Sequence, residues 1–237
     1  MKYVCVLFVA FVLVMCSMPE KQRRLFIAGD STAQTYDVER TLMRGWGQEI
    51  QSYLDSSLFV VVNHAKAGRS TKSFISESRW DSLISQVRED DVVVIQFGHN
   101  DTSSRPERYA SEKDYKANLR MMIEQTRSKG AEPVLITSIV MRTFVDGNLV
   151  DDRLKKYPVF MKQVAREEGV SLIDANTFMR DTVLLLGPEK SKDLYLWIGA
   201  GVDSTYKEGR EDDTHMCEAG ARAVAEYIAS ELKEIYM

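Results

Sequence analysis

Five short apolar runs constrain the fold of this chain more than any other feature. Residues 25–28, 58–63, 91–97, 133–138 and 170–174 are rich in β-branched and aliphatic side chains, and each gives way to a polar or glycine-bearing turn. Runs without polar alternation are characteristic of strands buried on both faces. The segments between them have helical spacing. Residues 79–87 put Trp80, Leu83, Ile84 and Val87 on one stripe, and 112–129 do the same for Tyr115, Leu119, Met122, Ile123 and Thr126 before Gly130 stops the helix. Further helices are expected over 48–54 and over 153–168, the latter interrupted near Pro158 and closed by Gly169. Two more are expected over 175–186, ended by Gly187-Pro188, and over 216–236, Ala-rich and amphipathic. Residues 189–213 are long, polar and aromatic-bearing, and are expected to be irregular. Strands alternating with helices predict an α/β fold: a parallel, doubly wound sheet of five strands in one domain over 23–237, with no repeat or linker. Ligands of such sheets bind at the carboxyl ends of the strands.

The first sixteen residues are of another kind. Met1-Lys2 precede an apolar run that reaches Cys16, turns polar at Ser17 and becomes charged from Glu20. One positive charge before so short a run is the pattern of a secretory signal rather than of a membrane span, so residues 1–16 are read as a signal peptide. Cys16 stands where a bacterial-type lipoprotein carries its lipid anchor, although Met15 is bulkier than the residue usual before such a site. The expected location is therefore outside the cytoplasm: periplasmic, extracellular or lipid-anchored at the bacterial cell envelope. Cys217 is then the lone cysteine of the mature domain, which excludes an intrachain disulfide there. A composition of 44% hydrophobic and 28% charged residues is that of a globular protein. A net charge of −4, with no Lys/Arg block, argues against nucleic acid as a partner. Nothing in the pattern specifies an oligomer.

Three strand ends bring polar groups to one edge of the sheet: Asp30-Ser31, Gly68-Arg69 and His99-Asn100-Asp101. A serine nucleophile needs a base within hydrogen-bond reach, and the base needs a group that holds its tautomer. Of the chain's three histidines, His64, His99 and His215, the last closes Asp212-Asp213-Thr214-His215. An aspartate three residues before a histidine in a tight turn reaches its Nδ1–H and leaves Nε2 for a serine. Asp212 with His215 is the leading pair, His99 with Asp101 is the alternative, and Asp213 is a less suited orienting acid. The N–H groups of Ser31 and Gly68 and the side-chain amide of Asn100 are candidate oxyanion donors. Taken singly, these residues also read as an N-cap serine, a turn glycine, a capping asparagine and a histidine at a helix start. No His-x-x-x-His or paired-cysteine spacing occurs, so no metal or cofactor is expected. Cys217 reads as a small core residue. Asn100-Asp101-Thr102 matches a glycosylation acceptor and is expected to remain unmodified inside a pocket.

Together, Gly29-Asp30-Ser31-Thr32, Gly68-Arg69-Ser70, Gly98-His99-Asn100-Asp101 and Asp212-Asp213-Thr214-His215 resemble, in order, the motif blocks of the SGNH (GDSL-like) hydrolase superfamily. Thr32, where leucine is frequent, resembles the rhamnogalacturonan acetylesterase branch, as do Gly45-Trp46-Gly47-Gln48 and Ser78-Arg79-Trp80-Asp81. Ala67 departs mildly from the pattern, replacing a frequent second glycine. The resemblance implies a three-layer α/β/α flavodoxin-like fold and metal-free removal of acetyl groups from a polysaccharide, pectic before others. It implies Ser31 as nucleophile, His215 as base and Asp212 as the residue orienting it, with Ser31, Gly68 and Asn100 forming the oxyanion hole. Arg69, His99 and Tyr206 are candidates for substrate contact, as are Trp46, Tyr195 and Trp197. Positive charge for an acidic glycan is expected at Arg69, Lys207 and Arg210. The rival readings are an esterase of xylan or of lipid esters, which changes only the pocket, and a non-catalytic carbohydrate-binding protein.

Overall fold

The computed structural model describes residues 22–150, 153–154 and 156–236, so the signal segment 1–16 lies outside the described residues. In chain order the elements begin with β1 (Arg23–Gly29), α1 (Trp46–Glu49), a 3-10 turn (Ile50–Tyr53), β2 (Phe59–Asn63), α2 (Thr71–Ser76), α3 (Arg79–Ile84) and β3 (Val92–Gln96). Then come α4 (Glu112–Ser128), β4 (Glu132–Ile136), the short strands β5 (Phe144–Val145) and β6 (Asn148–Leu149), α5 (Tyr157–Glu168), β7 (Ser171–Ile173) and α6 (Ala175–Lys190). A second 3-10 turn (Ser191–Leu194), β8 (Tyr195–Ile198), β9 (Arg210–Met216) and α7 (Glu218–Tyr236) complete the chain.

The main sheet has five parallel strands in the order β2-β1-β3-β4-β7. Its apolar runs are continuous because both faces are covered. Leu25 and Ile27 of β1, with Val92 and Val94 of β3, pack against Trp46, Met179 and the Ala-rich face of α7. The intervening Phe26, Ala28, Val93 and Ile95 pack on the opposite side against Phe74, Trp80, Leu83, Leu119 and Met161. A strand's period of two thus divides one run between two cores. At the sheet edge, β2 is only partly buried, contrary to the buried strand expected there.

The chain leaves β1 toward β2 and returns to the other side of β1 for β3. At that reversal the loops diverge, which opens a crevice at the carboxyl ends of β1 and β3. Ser31 follows one strand and His99-Asn100 the other.

Two expectations change. Pro158 does not interrupt α5 but lies in its first turn, where a missing N–H costs nothing. Residues 189–213 are irregular only over 199–209: the strands on either side, β8 and β9, form an antiparallel hairpin outside the main sheet. The stop at Gly187 does occur, as a break at φ 72° between two helical pieces.

α7 follows directly on β9 and rests on the second 3-10 turn. A Cβ on Gly220 would lie 2.0 Å from the Leu194 carbonyl oxygen. Gly220→Ala should therefore push α7 off this turn and destabilise the fold by about 1–3 kcal/mol, read as a lower urea midpoint. An unchanged midpoint would contradict so close an approach.

Candidate active site

The corner after β1 is held by its own side chains. Asp30 is fully buried, and its Oδ1 accepts from the Thr32 N–H at 2.9 Å. Thr32 Oγ1 stands 2.8 Å from the same oxygen and 3.0 Å from Gln96 Oε1 of β3, and Trp46 Nε1 donates to that Gln96 oxygen at 3.2 Å. This aspartate turn presents Ser31 between β1 and β3. Tyr36, which no sequence pattern marks, closes the corner by donating its hydroxyl to the Ser31 carbonyl at 2.9 Å. Burial and then the charge of Asp30 push the Tyr36 phenol well above its ordinary pKa, so it remains a donor.

His215 arrives from the other direction, on β9. The β8–β9 register runs from Leu196 opposite Asp212 directly to Tyr195 opposite Met216, so Asp213, Thr214 and His215 form a bulge. Asp212 folds that bulge: Oδ1 accepts from the backbone N–H of Thr214 at 2.9 Å and of His215 at 3.0 Å. Its Oδ2 pairs with His215 Nδ1 at 2.9 Å and accepts from Arg210 Nη2 at 2.8 Å. The pairing therefore belongs to a strand bulge and not to the tight turn expected from the spacing. Burial opposes ionisation of Asp212, but the bonds from His215 and Arg210 outweigh it and hold the carboxyl well below the usual range. With Nδ1 engaged, Nε2 is the ring nitrogen left for proton transfer.

The neighbouring Asp213 has a different task. Its Oδ1 accepts from Arg142 Nη1 at 2.5 Å and Trp197 Nε1 at 2.8 Å, and its carbonyl accepts from the Arg142 N–H. Arg142 is buried, and its guanidinium lies 4.6 Å from the Trp197 ring centre. This clamp fixes the bulge to the chain beyond β4. The Arg44 N–H, bonded to the Met216 carbonyl, ties the end of β9 to the β1 loop.

The candidate donors follow the carboxyl ends of the three adjacent strands β2, β1 and β3. Among the described residues, no hydrogen bond occupies the backbone N–H of Ser31 or of Gly68. Asn100 Nδ2 spends one hydrogen on the Arg69 carbonyl at 3.1 Å, which aims the amide toward the Gly68 loop and leaves its second hydrogen. Gly68 sits at φ +77°, a conformation that favours glycine, and the Arg108 guanidinium is 3.2 Å from where a Cβ would stand. Ala67, the departure from the family pattern, is held by Gln34 Oε1 accepting from its N–H.

Other candidates go elsewhere. His99 is buried, and both its ring nitrogens lack a partner among the described residues. Burial lowers its pKa and keeps the ring neutral, against the pull of Asp30. Asp101, its proposed partner, instead accepts from Thr71 N–H at 3.0 Å and Thr71 Oγ1 at 2.5 Å. The His99–Asp101 alternative thus has no hydrogen bond behind it. Arg69 is engaged by Glu77 and the Ala67 carbonyl, and the Tyr206 hydroxyl by Thr41 Oγ1. Arg210 is spent on Asp212, Trp46 and Tyr195 are core residues, and His64 is half-buried beside Phe26.

Asp101 pins the start of α2, and hence the Gly68-Arg69 loop, to the end of β3. Burial raises its pKa to about 7, against the Thr71 bonds. The unfolded chain releases this proton near pH ~3.9 and the folded state only near about 7, so the folded state binds more protons in between. Stability should fall as pH rises across that window. Asp101→Asn should remove this component, seen in urea unfolding as a stability difference between parent and variant that depends on pH; a constant difference would refute the assignment.

Comparison with known proteins places this architecture. A model of the GDSL-like lipase/acylhydrolase family matches residues 27–223. The chain is 36% identical over 218 residues to "Rhamnogalacturonan acetylesterase RhgT" of Bacillus subtilis, covering 92% of this chain and 93% of that protein. The crystal structure of Bacillus subtilis protein YXIM superposes with a TM-score of 0.75 at 28% identity, over 92% of this chain and 58% of that one. Axe2, an acetylxylan esterase from Geobacillus stearothermophilus, shares the fold, with a TM-score of 0.67 at 20% identity over 90% of this chain and 95% of its own. The five-stranded parallel sheet, the helices on both its faces and the match across most of the chain lead to one conclusion: this protein belongs to the GDSL-like lipase/acylhydrolase family, with the SGNH hydrolase fold.

Proposed function

We propose that this chain is a serine esterase that removes O-acetyl groups from a polysaccharide, acetylated rhamnogalacturonan foremost, through an acetyl-enzyme intermediate. One observation carries the chemistry: a carboxylate holds His215 through Nδ1, on a bulge whose end the Arg44–Met216 bond ties to the loop that follows Ser31. The likeness to RhgT supports the substrate.

In this reading Ser31 Oγ attacks the acetyl carbonyl carbon while His215 Nε2 takes its proton. Asp212 stabilises the imidazolium without accepting the proton. The carbonyl oxygen becomes an oxyanion, received by the N–H groups of Ser31 and Gly68 and by Asn100 Nδ2. These donors are neutral, so they do not compete with His215 for the proton. Collapse breaks the bond to the sugar oxygen, which leaves with the proton from His215. Water, deprotonated by the same ring, then releases acetate and restores Ser31.

Ser31→Ala and His215→Ala should each lower turnover on an aryl acetate by about a million-fold. Asp212→Asn should cost about ten-thousand-fold, and Asn100→Ala roughly a hundred- to a thousand-fold. Acetate release from acetylated rhamnogalacturonan, with Ser31→Ala as control, tests the substrate; release from acetylated xylan alone would overturn it.

We also propose export, supported by the apolar run ending at Cys16 behind a single lysine. Metabolic labelling with palmitate should mark the parent and not Cys16→Ala if the protein is lipid-anchored. Recovery of both, unlabelled and still carrying residues 1–16, in the cytosol would refute export.

A further inference from the structure

The loop that carries Asn100 also shapes a second feature. Two residues on, an open cavity of about 430 Å³ is lined by Thr102, Ser103, Ser104, Pro106 and Tyr109. Its volume falls in the range of small-molecule sites. The loop is built rather than loose. Ala110 N–H bonds the Asp101 carbonyl, the N–H groups of Arg108 and Tyr109 both bond the Arg105 carbonyl, and Lys72 Nζ bonds the Pro106 carbonyl at 2.7 Å. Tyr109 nevertheless is 49% exposed, an aromatic ring held at the cavity wall with much of its surface in solvent.

Several guanidiniums of the domain are already paired with carboxylates. Arg69 and Arg79 share Glu77, and Arg210 is taken by Asp212. Among the described residues, two other guanidiniums meet no carboxylate. Arg153 places Nε 3.2 Å from Thr102 Oγ1, on the cavity wall, and Nη2 3.1 Å from the His99 carbonyl. Arg108, next in the chain to Tyr109 of the cavity wall, lies against Gly68 and makes no side-chain hydrogen bond or ion pair with any described residue. Glu107 is the loop's only carboxylate between Thr102 and Tyr109, and it is exposed.

We propose that this cavity is a subsite for an acidic sugar, a uronate residue of the glycan close to the acetylated one. The apolar face of a pyranose ring stacks on Tyr109, and the hydroxyls of Ser103 and Ser104 exchange hydrogen bonds with those of the sugar. The planar N–H pairs of Arg153 and Arg108 match a carboxylate, where a lysine would offer only a point charge. The proposal rests on the esterase reading for the position of the acetyl group, but the binding it asserts does not require turnover. It moves the positive charge for an acidic glycan from Arg69 and Arg210, which are engaged, to Arg108 and Arg153.

Titration calorimetry with unacetylated trigalacturonate tests it, using xylotriose as the neutral probe. Trigalacturonate should bind the parent, and binding should weaken about tenfold or more in Arg153→Gln and in Tyr109→Ala. Arg166→Gln, an exposed charge on α5, should leave binding unchanged. Thermal melting verifies that each variant is folded, and Arg108→Gln supplies a second charge variant if Arg153→Gln is not. Failure of the parent to bind trigalacturonate, equal binding of xylotriose, or retention of parental affinity by the folded variants would overturn the subsite. Acetate release from rhamnogalacturonan with affinity insensitive to these substitutions would overturn the subsite alone. Trigalacturonate binding as expected, with acetate released only from a neutral glycan, would overturn the substrate reading alone.

Discussion

One carboxylate, that of Asp212, organises both the local fold of the bulge and the chemistry proposed for it. It receives two backbone N–H groups of the bulge, the Nδ1 of His215 and a guanidinium N–H of Arg210. Charge-assisted hydrogen bonds contribute roughly 1.5–3 kcal/mol each, enough together to offset the cost of burying the charge. Because the same oxygens that shape the bulge also meet the imidazole, the ring's orientation is settled within four residues of chain. Longer-range contacts then have only to deliver the bulge to the right place, and the Arg142–Asp213 clamp and the Arg44–Met216 bond do so.

The sheet supplies the other half. At the reversal between β1 and β3, backbone groups past the strand ends lose their ladder partners, so N–H donors become available where a ligand can reach them. Ser31 sits at that point, Gly68 follows the adjacent strand β2, and the Asn100 amide, past β3, is bonded to the Arg69 carbonyl. Behind them lies a buried polar layer of Asp30, Gln96, His99 and Asp101, each with at least one side-chain atom unpartnered among the described residues. Such a layer is costly in a core and is tolerated beside a site that needs fixed dipoles.

The strands and the long helices were legible because burial imposes their periods. The inward residues of α4 follow directly from spacing, as do the doubly buried β1 and β3. The hairpin β8–β9 was not legible, since Arg-Glu-Asp-Asp-Thr-His has neither alternation nor strand propensity and is held by its pairing with Tyr195–Ile198. Tyr36, Arg142 and Arg108 were missed for a related reason. Each acts on a group distant in sequence or through a backbone carbonyl, and no local pattern records that.

Sequence alone determined the parallel α/β class, the strand ends that carry Ser31, Gly68 and Asn100, and the short spacing of Asp212 to His215. These depend on nearest-neighbour geometry: a period of two, a period of 3.6, or a reach of three residues. Only the tertiary structure decided that His99 is buried with no hydrogen-bond partner among the described residues, that Arg69 and Arg210 are already paired, and that Arg108 and Arg153 meet no carboxylate among the described residues. A side chain's charge is written in the sequence, but whether that charge is already spent depends on what folding places beside it.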